Sequence, residues 1–130
     1  MAFEIPGNSI TLKAPSTAFS LSQYRFVTMS SSEGFFVAGS SVPTTAPVGI
    51  LQNAPTVTGE PCQVMVNGVS KFKTNATIAA GAHVVSGANG IAVSTASIAS
   101  EQRVFGPVLT ATAGSSNLGT VVLERVMYSS

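Results

Sequence analysis

The apolar residues of this chain alternate with polar ones over short runs, and no window has the 3.6-residue period of an amphipathic helix. The clearest unit spans residues 48–73, where a β-prone run at 48–52 precedes a proline- and glycine-marked loop. Residues 62–66 then show the alternation typical of a strand, and residues 69–73 form a further strand that runs back along it. Asn67-Gly68 lies between the last two runs and is typical of a two-residue hairpin turn, in which both central residues need positive φ. This unit therefore predicts a strand followed by a hairpin.

Similar short runs recur over the rest of the chain, separated by Gly, Asn, Ser and Pro. About nine short strands bounded by turn residues predict an all-β fold, either a small compact β-barrel or a sandwich. Besides the central unit, the predicted strands are residues 24–29, 35–38, 84–86, 91–93, 104–112 (interrupted by Gly106-Pro107) and 120–128.

The first 23 residues differ in pattern from the rest of the chain. Pro6-Gly7-Asn8 is a turn signal, residues 9–13 alternate briefly, and Pro15 interrupts them. Apolar residues occur here without a helical period. We therefore predict an extended N-terminal arm over residues 1–23, lying on its own barrel or on a neighbouring subunit, and a single β-barrel domain over residues 24–130.

The chain also contains a weak internal repeat. Residues 26–39 resemble residues 84–95, each reading as strand, glycine turn and strand, with Gly34 aligned to Gly90. One hypothesis is that two similar β units are related by a pseudo-twofold axis and together close one barrel. The alternative is that an all-β chain resembles itself wherever its turns recur.

The charge content changes the picture of the surface. Only 8% of the 130 residues are charged, against about 25% in an average soluble protein, and the formal net charge is +1. A surface this poor in charge has little electrostatic repulsion to keep copies apart. We expect a subunit that covers much of its surface with neighbours; the alternative is a monomer kept soluble by Ser and Thr.

The same composition excludes two classes of partner. Nucleic-acid binding needs a clustered basic face, and of the six cations only Lys71 and Lys73 form a pair. No run of 18 or more apolar residues is present, so no membrane-spanning helix is predicted. Lys71 and Lys73 flank Phe72 at strand spacing and indicate either a contact with an acidic partner or a solvated strand face that protects an edge.

The residues needed for catalysis or metal binding are scarce. The chain has one Cys, one His and no Asp, so no metal site, cofactor or catalytic centre is predicted. Cys62 and His83 are the only available Cys–His pair, but Cys62 alternates with Val64 and is expected to be a small buried residue. A single Cys excludes an internal disulfide and fits a reducing compartment.

Several weak phrases in a fixed order resemble the capsid cement (head decoration) proteins of tailed bacteriophages. The similarity covers about residues 21–126 and depends on order and spacing, because no single phrase is chemically specific. The phrases are Gly49-Ile50-Leu51-Gln52, Pro55 and Gly59, Val64-Met65-Val66-Asn67-Gly68, Ala80-Gly81, Asn89-Gly90 and Phe105-Gly106-Pro107-Val108-Leu109.

This resemblance implies a non-enzymatic β-barrel that binds the outer capsid surface, usually as a trimer at local threefold positions, and holds neighbouring coat subunits together. The expected partners are the major capsid protein and other copies of the chain, and the expected location is the virion, after synthesis in the bacterial cytoplasm. The alternatives are a tail or fibre component, a small β-barrel that binds carbohydrate or another ligand, and an enzyme that uses Cys62. The residues predicted to contact the capsid or another subunit are Phe3, Ile5, Ile10, Leu12, Lys13, Lys71 and Lys73.

Overall fold

The computed structural model describes residues 5–15, 23–31, 33–39, 47–94, 103–112, 117–123 and 125–127. Within these ranges the chain forms thirteen strands and no α-helix, so the all-β prediction is confirmed. None of the described segments is a helix long and apolar enough to cross a membrane. The strands are β1 (Ile5–Pro6), β2 (Ser9–Lys13), β3 (Phe26–Met29), β4 (Phe36–Ala38), β5 (Gly49–Leu51), β6 (Pro61–Met65), β7 (Gly68–Thr74), β8 (Val84–Ser86), β9 (Ala92–Ser94), β10 (Arg103–Phe105), β11 (Val108–Thr110), β12 (Asn117–Val122) and β13 (Arg125–Met127).

Five strands form a curved antiparallel sheet in the order β2-β6-β5-β3-β4. Its two edges meet at one point, where the Lys13 N–H donates to the Gly34 carbonyl at 2.8 Å and Lys13 forms a parallel bridge with Phe35. The sheet is therefore curled, but it is not closed into a barrel.

The other eight strands form a second sheet in the order β11-β12-β7-β9-β8-β10-β13, with β1 also pairing with β7. The β7–β12 ladder is the longest and runs without interruption from Asn117 opposite Thr74 to Val122 opposite Val69. By contrast, β7 pairs with β9 in parallel at Thr74 and Ala92 alone. The β7–β12 ladder is therefore the most regular part of this sheet.

The central part of the five-stranded sheet, in β3 and β5, is buried on both faces. Successive side chains of a strand point to opposite faces, so each apolar dipeptide supplies one residue to each side. Phe26 and Ile50 enter a core shared with the eight-stranded sheet, where the Phe26 and Phe105 ring centroids are 5.0 Å apart. Val27 and Leu51 enter a second cluster on the other face. The second cluster contains Leu12, Ala14, Val27, Phe36, Leu51, Cys62 and Val64.

The predicted hairpin at Asn67-Gly68 is wrong. Gly68 has φ of +104°, but Asn67 is not among the residues with positive φ, as a type I′ turn would require. The strands on either side do not pair: β6 lies in the five-stranded sheet and β7 in the eight-stranded one. The turn therefore passes the chain from one sheet to the other. The other predicted returns are antiparallel pairs, β3 with β4 and β8 with β9.

The strand count exceeds the expected nine, partly because the predicted run at 104–112 is two strands separated by Gly106-Pro107. Part of the predicted arm is extended and pairs within the same chain, β1 with β7 and β2 with β6. The boundary between residues 1–23 and 24–130 stays a prediction. The superposition of the two β units also stays a prediction. The pairing of the two units is similar, since β3 pairs with β4 and β5, and β8 pairs with β9 and β10.

Candidate contact surfaces

The outward side of the β7–β12 ladder carries the predicted lysine pair. Phe72 is fully buried, so Lys71 and Lys73 point away from the core, and both are half-buried. The register places Lys71 opposite Thr120 and Lys73 opposite Leu118, which is 39% exposed. A positively charged strand thus lies beside an exposed apolar side chain. We call this surface the β7–β12 face, formed by Val69, Lys71, Lys73, Leu118 and Val122; Thr120 lies on the same side of the ladder but is fully buried.

Tyr24 borders this face and links the two sheets. Its N–H donates to the Leu51 carbonyl at 2.7 Å, and its carbonyl accepts from the Lys73 N–H at 2.8 Å. Its φ is +66°, which is uncommon for a bulky residue. The Lys71 ammonium lies 5.4 Å from the Tyr24 ring centroid, within range of a cation–π interaction. The sequence pattern marked Tyr24 only as the start of a strand, so this role was missed.

Gln52, the last residue of the Gly49–Gln52 phrase, also connects the sheets. Its Nε2 donates to the Ile50 carbonyl at 3.0 Å and to the buried Ser70 hydroxyl at 2.9 Å. Gln23 in turn donates its Nε2 to the Gln52 carbonyl at 2.9 Å. The Ser70 hydroxyl itself donates to the Lys71 carbonyl at 2.9 Å, so Gln52 supplies its second hydrogen bond. Within the Gly49–Gln52 phrase, Gln52 therefore has a structural role, which is to join the two sheets.

The edge strand β2 is the second candidate surface. Ile10 is 39% exposed, whereas Leu12 is only 8% exposed and packs in the second cluster. Lys13 is exposed, with its ammonium 5.7 Å from the Phe35 ring centroid. In this conformation the Leu12 side chain supports the fold, and Ile10 and Lys13 are the predicted contact residues of this strand that a partner can reach.

The seven predicted contact residues do not gather in one patch. Phe3 lies outside the described residues, and the backbone of Ile5 pairs with Val69 at the border of the β7–β12 face. Lys71 and Lys73 share that face, while the three predicted residues of β2 belong to the other sheet. The contact role of all seven stays a prediction.

The structure does not bring Cys62 and His83 together as a catalytic pair. Cys62 is fully buried in the second cluster, while His83 precedes β8 in the other sheet. Burial, and next the charge of Glu60, raise the pKa of the Cys62 thiol above its ordinary value. A raised pKa disfavours the nucleophilic thiolate. Among the described side chains, no three His, Cys, Asp or Glu residues lie close enough to hold a metal ion.

A groove of about 340 Å³ lies at the end of β7 beside β9. The ligand-binding alternative predicts a pocket lined by aromatic side chains, and this groove has none in its lining. It is formed by Asn75, Ala76, Asn89, Ile91, Ala92 and Val93.

Comparison with known proteins connects this fold to phage particles. A structure of head fiber gp8.5 N base from bacteriophage phi29 matches with a TM-score of 0.63 and 21% identity, covering 90% of this chain and 93% of that one. At that identity the likeness concerns the fold. A search of curated protein sequences found no match. The family model described as phage cement protein matches residues 6–124, from β1 to just beyond β12. The chain thus belongs to the phage cement protein family and is a structural component of a phage virion.

Proposed function

We propose that the protein binds the outer surface of the capsid as a trimer, contacts the major capsid protein and stabilises the coat lattice, without catalysing a reaction. The observation that carries this proposal is the family match over residues 6–124, which includes eleven of the thirteen strands in full and part of β1. The low charge content supports it, because much of the surface is suited to contact with neighbours.

The β7–β12 face is the proposed capsid contact of the eight-stranded sheet. Lys71 and Lys73 supply positive charge for an acidic coat surface. Leu118, opposite Lys73, supplies an exposed apolar side chain on the same face. Each such contact is weak by itself, since exposed ion pairs contribute about 0–1 kcal/mol. A trimer on a fixed lattice makes several contacts at once, and this multivalency raises the overall affinity without any further contact.

The test is co-sedimentation of the purified protein with expanded phage heads that lack it, with native mass measured in parallel. We expect saturable binding at one trimer per local threefold position, weakened by added salt. The variant Lys71→Gln/Lys73→Gln should bind more weakly. Its control, Val57→Glu/Thr58→Glu, lowers the net charge equally in an exposed loop and should bind as the wild type does. A stable monomer that binds no form of the head would refute the proposal.

A second candidate function is the base of a fibre or another virion attachment. The fold likeness to head fiber gp8.5 N base favours it, because in that protein the same fold is part of a head fibre. Imaging of labelled protein on intact particles separates the two. A uniform array over the head supports lattice stabilisation, whereas signal at isolated projections supports an attachment base.

A further inference from the structure

Within the described residues, the outer edge of β2 has backbone groups with no strand beside them. The Asn8 carbonyl accepts from the Val66 N–H at 2.9 Å on the β6 side, while the Lys13 N–H points the other way, to Gly34. Alternate residues of a strand direct their N–H and C=O groups to the same side. Ser9 and Thr11 therefore direct theirs outward with Lys13. In the described part of the chain, no strand lies beside them there.

As far as the described residues show, this edge lacks the devices that normally keep edge strands from pairing with other chains. Such devices are charges, proline, bulges or a covering segment. Residues 8–11 are all exposed, 9–11 carry no charge or proline, and the register with β6 is regular. Lys13, the one charged residue of β2, lies at the end that is already bonded to Gly34. An unprotected edge on a virion subunit indicates a strand that is covered after assembly.

The two faces of the edge define what can add to it. On one face, the Ser9 hydroxyl donates to Gln63 Oε1 at 2.9 Å and Gln63 Nε2 donates to the Thr11 hydroxyl at 3.0 Å, so the strand is held in place by a polar row. On the other face, Ile10 is exposed and apolar. The complementary segment is therefore extended, uncharged and short, with apolar residues on one side only.

We propose that an extended segment of the coat protein adds to this edge as an extra strand and bonds the backbone of Ser9 and Thr11. This inference rests on the proposed function. A second copy is the less suitable occupant, because antiparallel pairing of β2 with its own counterpart requires a twofold axis, whereas a closed trimer has a threefold one. This contact is made by backbone groups, so it tolerates changes in the partner's sequence. It belongs to the five-stranded sheet and is separate from the proposed lysine contact on the eight-stranded sheet.

The test compares Thr11→Pro with Thr11→Ala in the head-binding assay. Both lose the hydroxyl, but only proline removes the outward N–H and blocks the edge, and it does so without removing a bond to β6. We expect Thr11→Ala to bind within about twofold of wild type and Thr11→Pro to bind at least about tenfold more weakly, as expected for a lost backbone hydrogen bond. Cys62, opposite Leu12, reports whether β2 stays docked, since its thiol should remain unreactive in a folded variant.

Amide hydrogen exchange of the wild type provides a second measurement that does not depend on the variant folding. The amides of Ser9 and Thr11 should exchange fast in the free protein and slowly on heads. Equal binding of the two variants, or no protection on heads, overturns the inference while leaving capsid binding intact. Protection in the free protein that grows with concentration identifies a second copy as occupant and also overturns it. Failure of the wild type to bind heads refutes the proposed function, and the inference with it.

Discussion

The packing of Gly119 against Phe72 provides a sharp test of how the β7–β12 ladder is stabilised. The two residues lie opposite each other on the core side of the sheet. A Cβ at Gly119 would lie 2.5 Å from Phe72 Cζ and 2.8 Å from Thr112 Cγ2, well inside ordinary contact distance. Phe72 is fully buried, so its ring cannot swing out into solvent without giving up its core packing. Gly119→Ala should therefore destabilise the protein by steric overlap alone, because the φ of Gly119 is not positive.

The expected energies depend on the sizes of the groups. Overpacking a core costs about 1–3 kcal/mol, and Phe72→Leu, which removes about three carbons, should cost about 2 kcal/mol. In the double variant the new methyl group occupies space that the ring has vacated. We therefore expect the double variant to be about 1–2 kcal/mol more stable than the sum of the single changes predicts, a typical coupling energy for residues in contact.

Urea unfolding followed by circular dichroism measures this coupling, since the chain has no Trp to report by fluorescence. Gly59→Ala is the matched control: Gly59 has φ of +83° with nothing within 4 Å of an added Cβ. Its cost of about 1 kcal/mol should be conformational and simply add to that of Phe72→Leu. Additivity within about 0.5 kcal/mol for Gly119→Ala and Phe72→Leu, or coupling in the control pair, would contradict the packing argument.

Three further changes test other parts of the structure. Gln52→Leu should lower the free energy of unfolding by about 0.5–1.5 kcal/mol, measured in urea, because it removes the inter-sheet hydrogen bond to the buried Ser70 hydroxyl, which keeps its own bond to the Lys71 carbonyl. The pKa of the Cys62 thiol is raised in the folded state, so the thiol contributes stability below its ordinary pKa, and this contribution is lost as pH rises through the folded pKa. Urea titrations at increasing pH should show this alkaline loss in the wild type and not in Cys62→Ala. Deletion of residues 1–14 should cost several kcal/mol and make Cys62 reactive towards a thiol reagent in the absence of denaturant, because it removes β2 and Leu12 from the second cluster; an unreactive thiol would show that the cluster forms without that strand.

The contact surfaces were only partly predictable. Strand alternation around the buried Phe72 correctly placed Lys71 and Lys73 on one outward side. The same reasoning grouped Leu12 with the contact residues, although it is buried. Alternation gives the two sides of a strand, but it does not say whether the second side also meets a core. Tyr24 escaped prediction because its role depends on hydrogen bonds to two separate sheets.

Local chemistry in the sequence determined that the chain is all-β and where most strands and turns occur, because alternation and turn residues act over a few neighbouring positions. Tertiary structure decided how those strands pair. Asn67-Gly68 favours a tight turn wherever it occurs, yet the flanking strands separate into two sheets. They do so because Val64 packs in the second cluster while Phe72 packs in the core between the sheets, and burying both apolar sets outweighs the hairpin that the dipeptide favours.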